Sequence, residues 1–323
     1  MKIMDEKALV DTGVVREKTF STNFKKDYLT NWQLYLFLLP SIIYIAIFAY
    51  IPMAGVQIAF KHYNFTLGIW GSEWVGLDNF RKFFDSYKFK TILWNTISVS
   101  FYSFLTFPLP IILALVLNAY TGQRFKKIVQ NITYVPHFIS TVVLVGMIYQ
   151  TFNPRTGALG SLYQYFTGNL IPDALANPNA FQHLYVWSGV WQGIGWGSII
   201  YIAALSGVDE QLHEAAQVDG FTRLQRVMHI DFPSILPTVT IMLILSVGHI
   251  MDVGFEKVYL LQNSLNIGKS EVISTYVYFI AFKSGITDFS YATAIGFFNA
   301  VINFSLLIIV NFISKRITGS SLW

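Results

Sequence analysis

The 323-residue sequence contains no cysteine and few charged residues. The absence of cysteine excludes disulfides, thiolate metal sites and cysteine nucleophiles. Charged residues make up only 12% of the chain, whereas a soluble domain carries roughly 25%. The net charge of +4 is small, and no basic run suggests a nucleic-acid partner. Because 54% of the residues are hydrophobic, the composition indicates a membrane protein.

Charge is missing altogether from six long windows. A helix needs roughly 20 apolar residues to cross about 30 Å of hydrocarbon, so each window predicts a transmembrane helix. Buried helices of a soluble protein are the alternative, but they would show alternating polar faces, which these windows lack. The sequence therefore predicts an all-α membrane protein with six transmembrane helices. The windows are Tyr28–Phe60, Thr91–Gln123, Ile128–Pro154, Ala174–Val208, Phe232–Met251 and Phe289–Ser314.

Basic residues flank the windows unevenly. The short connection 121–130 carries three basic residues and no acid, and two more basic residues follow the last window. Since cytoplasmic loops are enriched in Lys and Arg, we predict that both termini are cytosolic. Residues 1–27 would form a cytosolic arm before a membrane domain of residues 28–323. The segment 61–90 disagrees, because it carries five basic and three acidic residues on the predicted outer face.

A short acidic stretch, LHEAAQVDG at 212–220, separates the fourth and fifth windows. Asp209 can cap a helix there, and Gly220 suits the left-handed position beyond its end. Thr222 and Gln225 match a capping box that opens a second helix. The pattern predicts a helix–turn–helix within a cytosolic loop, 207–232, whose alanines would let another surface approach closely. A solvated connector is the alternative on these features alone.

The sequence EAAQVDGFTRLQRVMHIDFPSILP resembles the EAA loop of permease subunits of bacterial ABC importers. One position departs from the pattern, since Phe232 replaces the usual leucine. The stretches IPMAGVQIAFKHYNF, WVGLDNF and YVPHFIS are similar to the carbohydrate-uptake branch, especially permeases for polysaccharide fragments. The resemblance covers most of the chain. The matching residues of the loop are Glu214, Ala215, Ala216, Asp219, Gly220, Ile230 and Pro233.

This resemblance implies the type I ABC importer permease fold in the bacterial cytoplasmic membrane. The EAA helix, together with the preceding His213, would be a coupling helix that docks into a cytosolic ATPase subunit. Closure of two ATPase subunits on ATP and Mg would then rock the transmembrane bundle. The other implied partners are a second, non-identical permease, an extracytoplasmic solute-binding protein and membrane lipid. The implied substrate is an oligosaccharide, with acidic, alginate-like fragments among the candidates.

The chain carries no recognisable catalytic set, metal site or cofactor site. The sequence NIGKS at 266–270 resembles half of a phosphate-binding loop, but the required first glycine falls at Asn263. ATP hydrolysis is therefore expected on a partner, and the chain itself is not expected to be an enzyme. A secondary sugar carrier driven by an ion gradient is the alternative. Such carriers usually place charged residues near the bilayer midplane, and the six windows contain none.

The fourth window intersperses aromatic residues with glycines, and it supplies most of a predicted substrate path. Aromatic faces suit sugar rings, and a glutamine can bind hydroxyl groups. The resemblance places Trp191, Gly193 and Trp196 at positions similar to the substrate contacts of maltose-type permeases. Interfacial belts and helix packing are the alternative use of these residues. The predicted path comprises Trp187, Trp191, Gln192, Gly193 and Trp196, with His249 and Asp252 at the predicted outer end of the fifth span.

Two further sets of polar residues are candidates for function. His137, after Pro136, lies within the third window, where a lone histidine is usually buried and hydrogen-bonded. Basic residues on the predicted outer loop would suit an anionic sugar, although nearby acids weaken this interpretation. These basic residues are Lys61, Arg81, Lys82, Lys88 and Lys90.

Overall fold

The computed structural model describes residues 31–285, 287–319 and 321–322. The predicted arm, residues 1–27, lies outside the described residues. The chain divides into two compact units, Met1–Gly55 and Val56–Trp323. The described part of the first unit is helical, with its large apolar side chains exposed. It comprises α1 (Trp32–Ile45), a π-helical turn (Ala46–Tyr50) and α2 (Ile51–Met53), after which a 3-10 helix (Ala54–Phe60) begins.

The described residues of the second unit form helices and one short pair of strands, joined by turns and loops. Strand β1 (Lys61–His62) pairs antiparallel with β2 (Glu73–Trp74), with Lys61 opposite Trp74. The helices up to the acidic loop are α3 (Gly68–Gly71), α4 (Asp78–Phe84), α5 (Phe89–Leu105), α6 (Pro108–Ala119), α7 (Gln123–Tyr134), a 3-10 turn (Val135–Phe138), α8 (Thr141–Thr151), α9 (Ala158–Thr167) and α10 (Pro178–Leu205). The remaining helices are α11 (Glu210–Val218), α12 (Arg223–Arg226), a π-helical turn (Val227–Asp231), α13 (Phe232–Gly248), α14 (Phe255–Leu261), α15 (Ile267–Ser270), α16 (Ile273–Phe282) and α17 (Phe289–Thr318).

Among the described residues, four helical segments are long and apolar enough to cross a membrane. They coincide with the first, second, fifth and sixth charge-free windows, which confirms that these windows form apolar helices. Whether the chain crosses six times stays a prediction, because the third and fourth windows behave differently. The four segments are Trp32–Phe60, Phe89–Ala119, Arg223–Gly248 and Phe289–Arg316.

The third window is broken in two. Helix α7 with its 3-10 extension, Gln123–Phe138, meets α8 at an angle of 103°. The break follows from local chemistry, since Pro136 has no N–H to continue a helix and Ser140 caps the next one. The Ser140 hydroxyl accepts a hydrogen bond from the amide of Val143. The pair passes as a fifth candidate span only if both halves are counted together.

The fourth window forms α10, a helix of 28 residues that is about 42 Å long. Its glycine and polar residues make it less apolar than the four candidate spans. Helix α10 nevertheless lies at the centre of the packing, because it contributes to two of the three buried clusters. One cluster joins it to α8 and α14 through Phe181, Ile148 and Val258. The other joins it to α6 and α13 through Tyr201 and Ile235.

A third cluster connects the segment that precedes α5 to the last candidate span. Phe83 of α4 packs there with Ile92, Tyr276 and Ile295 of α5, α16 and α17. Helix α4 therefore gives the segment 61–90 a helix of its own, which ends at Phe84. Helix α4 precedes α5, and α16 precedes α17. The cluster therefore packs both of these shorter helices against the two candidate spans that follow them.

Candidate functional site

The acidic stretch forms the predicted capped helix. The Asp209 carboxylate accepts a hydrogen bond from the amide of Gln211, at 3.0 Å, and α11 begins at the next residue. Gly220 ends the helix with a φ of +75°, a conformation that costs other residues energy. The amide of Phe221 then donates to the carbonyl of Ala216, which closes the turn. The prediction of a capped helix that ends before Gly220 is therefore confirmed.

Helix α11 exposes only part of the EAA pattern to solvent. Glu214, Ala215 and Asp219 are exposed, whereas Ala216 is only 4% exposed. Of the two alanines, Ala215 is the one that another surface could approach. The small side chain of Ala216 instead allows packing within the chain. These two roles could not be distinguished from the residue types alone, since both residues are alanines.

The second helix opens as predicted. Thr222 and Gln225 form a reciprocal capping box at the start of α12. The chain then passes through the π-helical turn, where Ile230 is half-buried, and enters α13 at Phe232. Pro233 lies in the first turn of α13, directly after the π-helical turn, where the regular pattern of helix hydrogen bonds is already interrupted. The loop 207–232 thus continues as helix into the candidate span Arg223–Gly248 of the fifth window.

A buried carboxylate ties this loop together, and sequence reasoning missed it. Asp231 has no solvent exposure, and its Oδ1 lies 2.9 Å from Nε2 of His213. Its Oδ2 lies 3.5 Å from Nε of Arg226, close enough for an ion pair but without hydrogen-bond geometry. The pair between His213 and Asp231 spans 18 residues of sequence. It connects α11 directly to the residue that precedes α13.

The predicted path residues divide between two faces of α10. Gly193, His249 and Asp252 line one cavity of about 500 Å³. Trp187 and Trp191 line a second cavity, of about 470 Å³, beside α8. Residues two apart on a helix are rotated by about 200° around its axis. Trp191 and Gly193 therefore lie on nearly opposite faces of α10. The structure therefore does not bring all seven predicted residues together.

Gln192 and Trp196 contact the broken third window instead of a cavity. The Gln192 amide donates to the carbonyl of Ile139, at 2.7 Å, within the bend between α7 and α8. The ring of Trp196 stacks on His137, with centroids 4.4 Å apart and planes within 3°. His137 is exposed rather than buried, so the expectation for a lone histidine in this window is wrong here. These contacts stabilise the bend.

The first cavity is lined by α5, α6, α10, α13 and the segment after α13. Its walls are mostly apolar, with polar groups that include Ser100, Ser246 and Tyr185. The Ser100 hydroxyl is buried and has no hydrogen-bond partner within the described part of the chain. A cavity of this size and character falls in the range of roughly 300–1,000 Å³ typical of small-molecule sites.

Asp252 is held in the cavity wall by the last span. Its Oδ1 accepts hydrogen bonds from the side-chain amides of Asn299, at 3.1 Å, and Asn303, at 2.7 Å. Its Oδ2 lies 3.1 Å from Nδ1 of His249. Asn303 also accepts a hydrogen bond from the amide of Met251. The carboxylate therefore has several donors around it and fixes the turn that follows α13.

Lys257 is a cavity residue that sequence reasoning did not single out. Its ammonium donates to the carbonyl of Tyr185, at 2.7 Å, and lies 4.8 Å from the centre of that ring. Burial lowers the pKa of Lys257 to about 8. Two of the lysines singled out on the predicted outer loop have partners outside the cavity. Lys82 pairs with Asp288, and Lys88 with Glu271.

No group of three or more potential metal-ligating side chains occurs among residues 31–285, 287–319 and 321–322. The tetrapeptide Ile267–Ser270 forms the short helix α15, with Ser270 buried and bonded to Asn266. A helix of this length with an engaged serine is used for structure. This arrangement gives no support to a phosphate-binding loop there.

Comparison with known proteins identifies what the chain resembles. The family described as binding-protein-dependent transport system inner membrane component matches residues 106–319. Protein LplB of Bacillus subtilis (strain 168) is 40% identical over 291 residues, covering 90% of this chain and 91% of that protein. The polygalacturonan/rhamnogalacturonan transport system permease protein YteP of the same strain is 38% identical over 317 residues, 98% of both chains.

Solved structures agree with these relatives. A chain of a bacterial ABC transporter involved in the import of the acidic polysaccharide alginate has a TM-score of 0.82 and 38% identity. The match covers 91% of this chain and 99% of that one. A chain of a bacterial alginate ABC transporter in complex with an alginate pentasaccharide-bound periplasmic protein gives 0.84 and 37% identity, covering 93% and 100%.

Proposed function

Because the chain belongs to the family of inner membrane components of binding-protein-dependent transport systems, we propose that it is the permease subunit of an ATP-driven oligosaccharide importer. It crosses the bacterial cytoplasmic membrane six times with both termini cytosolic, and residues 1–27 form a cytosolic arm. The bent third window and α10 supply the two spans beyond the four most apolar ones. A second permease completes the translocation path.

Coupling to ATP takes place through α11. The main support is the position of this helix. It is capped and exposed, and its His213 is bonded to Asp231, the residue directly before α13. A push on α11 therefore reaches α13 through a buried contact and not only through the backbone. Glu214, Ala215 and Asp219 face the ATPase subunits, which bind ATP and Mg. This chain positions and opens the path but performs no hydrolysis.

The first cavity, of about 500 Å³, receives the sugar. Apolar and aromatic walls suit the faces of sugar rings, and Ser246 suits their hydroxyl groups. The proteins named for polygalacturonan/rhamnogalacturonan and alginate support a polysaccharide fragment as the substrate class. The binding protein in the alginate complex supports delivery by a similar partner outside the membrane.

The test is reconstitution of the chain with its neighbouring subunits in proteoliposomes. We expect the binding protein and a suitable oligosaccharide to stimulate ATP hydrolysis and sugar uptake together. Glu214→Lys or Gly220→Pro should abolish both stimulations. Sugar uptake by this chain alone, driven by an ion gradient and indifferent to ATP, would overturn the proposal.

Glu73→Lys is the matched control for Glu214→Lys. It makes the same change of charge at an exposed acid on β2, in the segment predicted to lie outside the cell. We expect Glu73→Lys to retain stimulated hydrolysis. Equal losses in both variants would show that charge reversal as such, and not the position on α11, causes the effect.

A further inference from the structure

The first cavity, of about 500 Å³, is lined by two side chains of opposite charge, Asp252 and Lys257, whose surroundings differ. Asp252 accepts hydrogen bonds from Asn299 and Asn303 and lies beside His249. The Lys257 ammonium donates to the carbonyl of Tyr185 and lies over the ring of the same residue. No carboxylate lies within ion-pair distance of Lys257 in the described part of the chain. The cavity thus contains a satisfied anion and a cation without a counter-ion.

Several contacts hold the Lys257 ammonium at this wall. The amide of Gly254 donates to the hydroxyl of Tyr185, at 3.0 Å, so the loop before α14 is fixed to α10. Gly189, one turn after Tyr185, leaves room for the ammonium, because a Cβ there would lie 3.2 Å from Nζ. A side chain at position 189 would therefore press on the ammonium. The site is built around the lysine by two elements distant in sequence.

An unpaired, largely buried cation is costly unless an anion joins it. From this arrangement we infer that Lys257 is a specificity-determining residue that binds the carboxylate of an acidic oligosaccharide inside the cavity. The inference rests on the proposed function, since it names the chemical class that the same cavity selects. A carboxylate can accept a charge-assisted hydrogen bond from Nζ, which a neutral hydroxymethyl group cannot match.

The protonation state of Lys257 is compatible with this role. Lys257 lies in α14, outside the candidate spans, and its lowered pKa of about 8 leaves it mostly charged at pH 7. The groups that face it are Tyr185 of α10 and, across the same cavity, His249 and Asp252. A bound carboxylate would favour the charged form of the lysine.

The test compares two ligands with one carbon skeleton. Trigalacturonate carries carboxylates, whereas its fully methyl-esterified form is neutral. Binding of each to the purified, assembled complex, without binding protein, is measured by titration calorimetry for wild type and Lys257→Gln. A charge-assisted hydrogen bond predicts that Lys257→Gln weakens trigalacturonate binding by about tenfold or more. Binding of the ester should not change, and Lys257→Arg should recover part of the loss.

Lys283→Gln is the matched control, because Lys283 is exposed and contacts Tyr259 and Tyr278 instead of the cavity. Equal weakening of both ligands by Lys257→Gln, or no weakening of either, would overturn the inference but leave the proposed function standing. A wild-type complex that binds neither ligand, and whose ATPase responds to no oligosaccharide, would overturn both. Thermal midpoints of all variants establish that each is folded.

Discussion

The buried carboxylate of Asp231 provides the sharpest test of how α11 is attached to the membrane domain. Asp231→Asn keeps the size of the side chain and removes its charge. Removal of one partner from a buried ion pair costs roughly 3–5 kcal/mol. The side chains of His213 and Arg226 are 20% and 18% exposed, so hydration recovers part of that cost. We expect a loss of about 2–3 kcal/mol in the free energy of unfolding.

The assay is thermal denaturation of the purified complex, in parallel with stimulated ATP hydrolysis. The midpoint should fall by several degrees, and stimulation should weaken because α11 no longer moves rigidly with α13. Asp219→Asn is the control, since it removes an exposed carboxylate of the same loop and should cost no more than about 0.5 kcal/mol.

A double-mutant cycle separates the contact from a general effect of the substitution. If His213 and Asp231 stabilise the loop through each other, His213→Ala should cost markedly less in the Asp231→Asn background than in wild type. Additive losses, or an Asp231→Asn variant as stable as the Asp219→Asn control, would refute the reasoning that the buried pair joins the two helices.

Three further predictions follow from the packing and the charges. Gly195→Ala should prevent normal folding, because its Cβ would collide with the carbonyl of Thr133. The control Gly193→Ala should fold normally, because its Cβ would meet no atom within 4 Å. The yield of assembled complex distinguishes the two variants. Gly220→Ala should cost about 1–2 kcal/mol through its positive φ alone, since its Cβ would meet nothing, and Gly220→Asn should cost less in the same thermal assay. Burial lowers the pKa of Lys257 from 10.5 to about 8, so the unfolded chain binds the proton more tightly and the folded state carries a penalty of about 3 kcal/mol below pH 8. That penalty decreases as pH rises from 8 to 10.5. Lys257→Met should therefore raise the free energy of unfolding at pH 7, and this gain should shrink over the same interval. A gain that does not change with pH would contradict the burial of the charge.

Local chemistry made the loop 207–232 predictable. Asp209 caps an amide two residues away, and Thr222 and Gln225 bond across three residues. Gly220 adopts its left-handed conformation within the same turn. Such contacts depend on neighbours along the chain, so the order of the residues is enough to predict them. The family resemblance of the EAA pattern then supplied a role that local geometry alone does not.

Contacts between distant elements were not predictable in this way. Gln192 was interpreted as a possible sugar contact, yet its amide bonds to Ile139 within the bend of the third window. Trp187 and Gly193 were grouped together, yet they line different cavities. A helix in a membrane has apolar residues on the faces that meet lipid and on those that meet other helices. Hydrophobicity therefore cannot say which face points where.

The sequence by itself determined that this is a helical membrane protein with a capped polar helix between two apolar segments. Missing charge and helix caps are properties of short stretches, and a stretch of chain carries them wherever it lies. Only the tertiary structure decided that Asp231 is buried against His213 and that Lys257 lines a cavity without a counter-ion. Both depend on how helices far apart in sequence pack, which sets the burial and the partners of each charge.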